Sequence, residues 1–243
     1  MGIRNLLYSG GLALALAIPA YAQDNETKQE TPQTEVKIND ELAKLVDSLI
    51  PEEAYKEIYD LRFDKDEKSI QKYQKIAEDL DAKLDKIENY KDDFNNLTKE
   101  QKRKLSDFYL VEGRAYSNIA IRLRNQEEKK IPFYDLAQES AETAIKVDES
   151  NHIAHNFLGT IYSGKGMENE AIQKYKDAIK IKEDYAIARQ NLGYLLYKKK
   201  EYKDAIKHLD IAIELDPPSD PKYLTIAQIY KNRCLKAIED KNK

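Results

Sequence analysis

A sequence period of 34 residues constrains this chain more than any other feature. Between His152 and Ser219, small and apolar residues recur at that offset: Leu158 with Leu192, Gly159 with Gly193, Ala171 with Ala205, Tyr175 with Leu209, and Ala178 with Ala212. Each unit reads as an amphipathic helix, a short polar turn and a second amphipathic helix. One such unit cannot bury its apolar face alone, so neighbouring units have to stack on each other. The period therefore predicts an all-α solenoid.

The composition favours the same fold class and excludes one class of ligand. Only 8 Gly and 7 Pro occur in 243 residues, and 35% of the residues are charged, which is typical of a helical protein. The formal net charge of −4 arises from intermixed signs. Because the sequence forms no large basic face, nucleic acid is not expected as a partner.

The two regular units, 152–185 and 186–219, closely resemble tetratricopeptide repeats. The resemblance rests on residues at fixed places in each unit: Leu158, Gly159, Tyr162, Ala171, Tyr175 and Ala178, then Asn191, Leu192, Gly193, Ala205, Ala212 and Pro217. The glycines let the first helix approach its partner closely. At the alanines of the second helices, a larger side chain would force the stacked helices apart. The chain departs from the family pattern at His155 and Arg189 (usually Trp), Leu196 (usually Tyr) and Glu183 (usually Pro).

The period continues more weakly on both sides, which predicts a solenoid over 129–243. Upstream, a degenerate unit ends near residue 150; it has Gly113 at the close-packing place, a charged loop over 125–131, and a second helix from Phe133 to Val147. Downstream, a capping helix is predicted over 221–241, from four residues that continue the offset: Tyr223, Ile226, Ala227 and Tyr230.

Long helices are predicted in the region before the repeats, 39–128. Two short helices, near 40–49 and 51–62, precede a long helix over 67–95. Its apolar residues fall at heptad spacing, interrupted by one lysine: Ile70, Tyr73, Ala77, Leu80, Leu84, Ile87, Lys91 and Phe94. Thr98 and Gln101 form a capping-box pattern that opens a further helix to about Glu127. Two interpretations stay open: the long helices pack as an antiparallel hairpin within the chain, or the heptads form a coiled coil that makes a homodimer.

The first 22 residues have the pattern of an export signal. Arg4 precedes an apolar run from Leu6 to Ile18, and Ala20-Tyr21-Ala22 provides a cleavage site after Ala22. Residues 23–38 are polar and predict a disordered linker. The mature protein is then expected to be periplasmic or secreted, without stable membrane insertion. The alternative is an uncleaved membrane anchor, although the apolar run is short for a membrane span.

No pattern in the sequence predicts catalysis, a cofactor or a metal. Cys234 is the one cysteine, cannot form an internal disulfide, and is expected to be a small buried side chain. His152 and His155 lack a third ligand, and Ser163-Gly164-Lys165-Gly166 lacks the full phosphate-loop pattern and a preceding strand. We expect a protein that is not an enzyme.

The resemblance implies a concave groove, lined by the first helices of successive units, that binds a protein or peptide. The residues expected to bind the peptide are Asn156, Thr160, Gln190, Asn191, Tyr194, Tyr197 and Lys198, with Ile153, Ser163, Ile187, Leu224 and Gln228 extending the groove. Tyr and Asn suit peptide capture because they offer rigid amphipathic area beside groups that pair with a peptide backbone. The alternative is that these are ordinary solvated helix residues. The basic clamp that some family members use for a terminal carboxylate is mostly missing.

Overall fold

The computed structural model describes residues 32–49, 51–61, 68–123, 125–216 and 225–241. Within these ranges the regular elements are helices, which confirms the predicted all-α class. They are α1 (Pro32–Asp47), α2 (Pro51–Asp60), α3 (Lys68–Glu88), a 3-10 helix (Lys91–Asn96), α4 (Lys99–Arg122), α5 (Glu127–Val147), α6 (His152–Gly164), α7 (Glu168–Ile181), α8 (Ala186–Lys198), α9 (Tyr202–Leu215) and α10 (Ile226–Lys241). The predicted signal segment lies outside the described residues, and none of the described helices is long and apolar enough to span a membrane.

Three helix pairs share one packing device, a glycine of the first helix against the backbone of the second. The pairs are α4 with α5, α6 with α7, and α8 with α9. A Cβ atom on the glycine would lie close to an alanine carbonyl oxygen of the second helix: 3.3 Å for Gly113 and Ala137, 3.2 Å for Gly159 and Ala171, and 3.2 Å for Gly193 and Ala205. The place predicted for Gly113 is therefore confirmed, and α4 with α5 forms a unit of the same kind as the regular ones.

The loop predicted over 125–131 is wrong for residues 127–131, which are helical, and only residues 125 and 126 of it lie outside a helix. Helix α5 begins at Glu127, six residues earlier than predicted, and contains Pro132. Glu127 and Glu128 stabilise the positive end of the helix. Pro132 cannot donate to the Glu128 carbonyl, but Glu128 lies in the exposed first turn, where water can satisfy that oxygen. A proline in the second turn is thus compatible with this helix.

The long helix predicted over 67–95 is also shorter than expected, because α3 ends at Glu88. A turn follows, in which the Tyr90 N–H donates to the Ile87 carbonyl at 2.9 Å, and the 3-10 helix comes next. The sequence there is rich in Asn and Asp, whose side chains compete with helical hydrogen bonds. Lys91, the charge expected within the heptads, therefore lies outside α3.

Helix α1 begins earlier than predicted, inside the stretch interpreted as a disordered linker over 23–38. It starts at Pro32, a residue that the first helical position tolerates because its N–H would have no partner there. The prediction of disorder is therefore wrong for residues 32–38. The rest of that linker lies outside the described residues.

Helices α3 and α4 pack antiparallel within the chain. Ser69 accepts a hydrogen bond from Arg122 at 2.8 Å, and Asp81 accepts one from the Tyr116 hydroxyl at 2.7 Å, so rising numbers in α3 meet falling numbers in α4. The heptad side chains that a coiled-coil dimer would need are buried in this core: Tyr73, Ala77, Leu80, Leu84 and Ile87. The heptad face is thus used inside the chain, as the hairpin interpretation expects.

The first helices of the pairs contact one another in a row, α4 with α6, α6 with α8, and α8 with α10, and α2 contacts α4 at the near end. We refer to α2, α4, α6, α8 and α10 as the first-helix row. The capping helix begins at Ile226, packs on α8 and α9, and buries Ala227 and Cys234. The prediction of a buried cysteine is confirmed, and the start predicted for this helix, residue 221, lies outside the described residues.

Candidate peptide-binding surface

The side of the first-helix row that carries the predicted groove residues is built by three helices, α6, α8 and α10. Equivalent places in α6 and α8 are set by the 34-residue period, so Thr160 of α6 and Tyr194 of α8 each follow the close-packing glycine of their own unit. This register places corresponding side chains on adjacent helices of the row.

Asn156 and Asn191 join the two regular units directly. The Asn191 Nδ2 donates to the Asn156 Oδ1 at 3.0 Å, across the contact between α6 and α8. Asn156 is only 7% exposed, whereas Asn191 is half-buried. The amide oxygen of Asn156 therefore accepts a hydrogen bond from Asn191. Asn156 contributes to the contact between α6 and α8 more than to a surface that a ligand could reach.

Thr160 is exposed on α6, beside two tyrosines. Its hydroxyl donates to the Asn156 carbonyl at 3.1 Å, which anchors the side chain to its own helix. Burial raises the pKa of the Tyr175 hydroxyl, a hydrogen bond with Thr160 opposes that rise, and nearby Tyr194 adds to it. Thr160 and Tyr194 thus lie around Tyr175, which sequence reasoning assigned to packing alone.

Tyr194 and Tyr197 form an aromatic cluster with the capping helix. The Tyr230 ring lies with its centroid 4.7 Å from that of Tyr194 and 5.3 Å from that of Tyr197. Arg233 lies over the Tyr230 ring at 5.0 Å. Sequence reasoning missed Tyr230 as a site residue, although its offset of 34 from Leu196 was visible. Tyr194 and Tyr197 are both half-buried. They pack against α10 and leave part of each side chain exposed on the row.

The last two predicted residues lie towards opposite ends of α8. Gln190 lines a small hollow with Ile187 and Ala227, near the start of α10. Lys198, the last residue of α8, pairs with Glu168 of α7 at 3.2 Å and is exposed. An exposed pair of this kind contributes little to stability. The structure thus groups Asn156, Thr160, Asn191 and Tyr194 and leaves Lys198 and Gln190 at the margins.

Comparison with known proteins matches the repeats to a family. Residues 168–200 match a family described as TPR repeat, and residues 186–219 match one described as tetratricopeptide repeat. Residues 168–219 are therefore tetratricopeptide repeats. The matched residues are those in which helix pairs stack at the 34-residue period, and solenoids of this kind present extended concave surfaces for binding.

A curated protein similar to this chain is superkiller protein 3 of Schizosaccharomyces pombe, which is 30% identical over 105 residues. Those residues are 43% of this chain, and the match spans only 7% of the length of that relative. Among solved structures, the Arabidopsis OM64 TPR domain is 17% identical with a TM-score of 0.44, covering 56% of this chain and 98% of that one. The first TPR of Spaghetti, bound to an HSP90 peptide, is 15% identical with a TM-score of 0.42, covering 54% of this chain and 95% of that one.

Proposed function

We propose that the chain is a scaffold that holds a peptide or helix of a partner protein against the first-helix row. The observation that carries the proposal is the group of partly exposed Thr160, Asn191 and Tyr194 on adjacent repeat helices. Amide groups pair with a peptide backbone, and tyrosine rings give contact area at a low cost in side-chain entropy. The proposed role requires no catalysis and no cofactor.

The proposal includes export. It is supported by the sequence pattern of Arg4, the apolar run to Ile18 and the small residues ending at Ala22. The scaffold would then work in the periplasm or outside the cell, and its partners would be proteins or peptides of that compartment.

Site-specific photo-crosslinking in the cell that produces the protein tests the binding face and identifies the partner together. A photoreactive phenylalanine analogue replaces Thr160 on α6 or, as the matched control, Gln173, which is exposed on the second helix α7. We expect one protein to be crosslinked from position 160 and not from position 173. Equal crosslinking from both positions, or none from position 160, would contradict the proposal.

The second candidate function is a structural role as a homodimer through the long helices. The burial of Leu84, Tyr73 and Ile87 between α3 and α4 argues against it, because those side chains would have to form the dimer seam. It therefore remains an alternative only for a dimer that uses another face.

A further inference from the structure

Arg114 lies between aromatic rings of two different helices of the first-helix row. Its guanidinium carbon is 5.4 Å from the centroid of the Tyr55 ring on α2 and 5.4 Å from that of the Phe157 ring on α6. Cations at this distance from ring faces are attracted by the ring quadrupole. The two rings thus fix the planar guanidinium in one place, at a lower entropy cost than a freely moving side chain would incur on binding.

Tyr185, which precedes α8, completes the surroundings of this arginine. Burial raises the pKa of the Tyr185 hydroxyl, the Arg114 charge opposes that rise, and Tyr55 adds to it. Arg114 and Tyr55 are therefore both near Tyr185. We refer to Tyr55, Arg114, Phe157 and Tyr185 as the Arg114 site.

No Asp or Glu side chain within the described ranges lies at ion-pair distance from Arg114. Other basic residues of the repeats differ in this respect: Lys165 pairs with Asp135 at 2.7 Å, and Lys231 pairs with Asp210 at 2.6 Å. The half-buried charge of Arg114 is therefore not paired with a carboxylate of the described ranges and is available to a ligand.

The register places Arg114 on the binding side of the row. It follows Gly113, as Thr160 follows Gly159 and Tyr194 follows Gly193, and these glycines occupy the same packing place in their units. Arg114 thus takes the place in α4 that Thr160 takes in α6. Towards α8 the row continues with the neutral amides Asn156 and Asn191.

We propose that the Arg114 site binds the carboxylate of an acidic side chain in the peptide held by the row. The inference deepens the proposed function and rests on it. An arginine fork pairs with a carboxylate through two parallel hydrogen bonds, and the flanking rings contact the apolar part of the acidic side chain. Because the row extends to α2 on one side and to α6 on the other, the bound chain runs past Arg114, which favours an internal side chain over a chain end.

The test measures the binding of short fluorescein-labelled peptides by fluorescence anisotropy. The probe is a peptide of alternating Glu and Leu with an amidated C-terminus, and its matched control carries Gln in place of Glu. We expect the Glu peptide to bind the native protein at least about tenfold more tightly than the Gln peptide, since charge-assisted pairs with arginine are the strong ones. The preference should weaken as salt is added.

Two variants assign the preference to Arg114. Arg114→Gln should remove it, and Arg114→Lys should retain only part of it, because lysine keeps the charge but not the planar fork. Arg103→Gln is the matched control, since Arg103 also lies on α4 but its charge is paired with Asp107 at 3.2 Å. Thermal unfolding followed by circular dichroism checks that each variant is folded; the comparison of Glu and Gln peptides on the native protein needs no variant.

Three results would overturn the inference. The first is equal binding of the two peptides, and the second is an equal loss of binding in Arg114→Gln and Arg103→Gln. The third is a dependence on Arg114 that is seen only with a Gln peptide carrying a free C-terminal carboxylate, which would mean that the site binds a chain end. In each case, photo-crosslinking from position 160 still decides the proposed function separately.

Discussion

At the scale of single residues, the turns inside the two regular repeats show how one backbone geometry is met by different side chains. In the first turn Gly166 has φ 80°, and in the second Lys200 has φ 65°. The two positions are 34 residues apart. Each turn is closed by an equivalent hydrogen bond, from the Met167 N–H to the Tyr162 carbonyl at 2.8 Å and from the Glu201 N–H to the Leu196 carbonyl at 2.9 Å. Glycine adopts this left-handed conformation without strain and lysine does not.

Substitutions at these two positions should change the free energy of unfolding in opposite directions. Lys200→Gly should raise the free energy of unfolding by about 0.5–1 kcal/mol, and Gly166→Ala should lower it by about 1 kcal/mol. Urea unfolding followed by circular dichroism measures both. Lys203→Gly, in the exposed first turn of α9, controls for the loss of a lysine and should not stabilise the protein. A destabilising Lys200→Gly would contradict the strain assigned to that turn.

At the scale of helices, sequence reasoning succeeded where a position has only one physical solution. The close-packing glycines, the alanines opposite them and the Thr98–Gln101 capping box, with its 3.2 Å bond from the Gln101 N–H to Thr98 Oγ1, were all predictable. The boundaries of α1, α3 and α5 were less so. There, weak local preferences for turn or coil compete with tertiary packing, as the helical residues before Pro132 show.

The candidate site was only partly predictable for a related reason. The period places Thr160, Asn191 and Tyr194 on one side of adjacent helices, but it gives no information on partners outside the repeats. The contact of Arg114 with Tyr55 joins residues whose numbers differ greatly and whose helices do not belong to the regular pattern. Such a contact becomes visible only when the chain is folded.

Packing between α7, α8 and α9 also sets a pH dependence through His208. Burial lowers the pKa of His208, and the positive charges of Arg189 on α8 and Lys176 on α7 lower it further, against the opposing charge of Asp204. The imidazole of His208 therefore binds a proton less readily in the folded protein than in the unfolded chain, where it is protonated below the ordinary histidine pKa of about 6.5. Stability should be unaffected by His208 above that pH and should fall as the pH drops through it.

The measurement is the urea midpoint at about pH 7.5 and at about pH 5.5, the range in which histidine titrates. We expect a lower midpoint at the acidic pH and a smaller drop in His208→Gln. A drop of the same size in the variant would show that His208 does not contribute. Part of the drop should remain in any case, because burial also lowers the pKa of His152.

At the scale of the whole molecule, two hydrophobic cores follow each other along the stack. One runs from Leu42 to Ile161 and the other from Ala171 to Cys234, with half-buried Tyr162 packed against both. The N-terminal helices thus share a core with the first repeat and act as its support. A stack of this kind buries the heptad face that a coiled-coil dimer would need.

Leu84→Asp separates these two arrangements. Leu84 is fully buried, so the substitution places a charge in the core and should lower the free energy of unfolding by several kcal/mol, about 3 or more. Light scattering on the native protein should give the mass of one chain. A native dimer that Leu84→Asp converts into a folded monomer would instead support the coiled coil.

The central claim is that one face of the stack, the first-helix row, holds the partner. Hydrogen–deuterium exchange of the protein with and without the partner found by photo-crosslinking tests this claim most directly. Bound partner should slow exchange in α4, α6 and α8 and leave α5, α7 and α9 nearly unchanged, apart from general stabilisation of the fold. Protection centred on the second helices α5, α7 and α9, with the first-helix row unaffected, would contradict it.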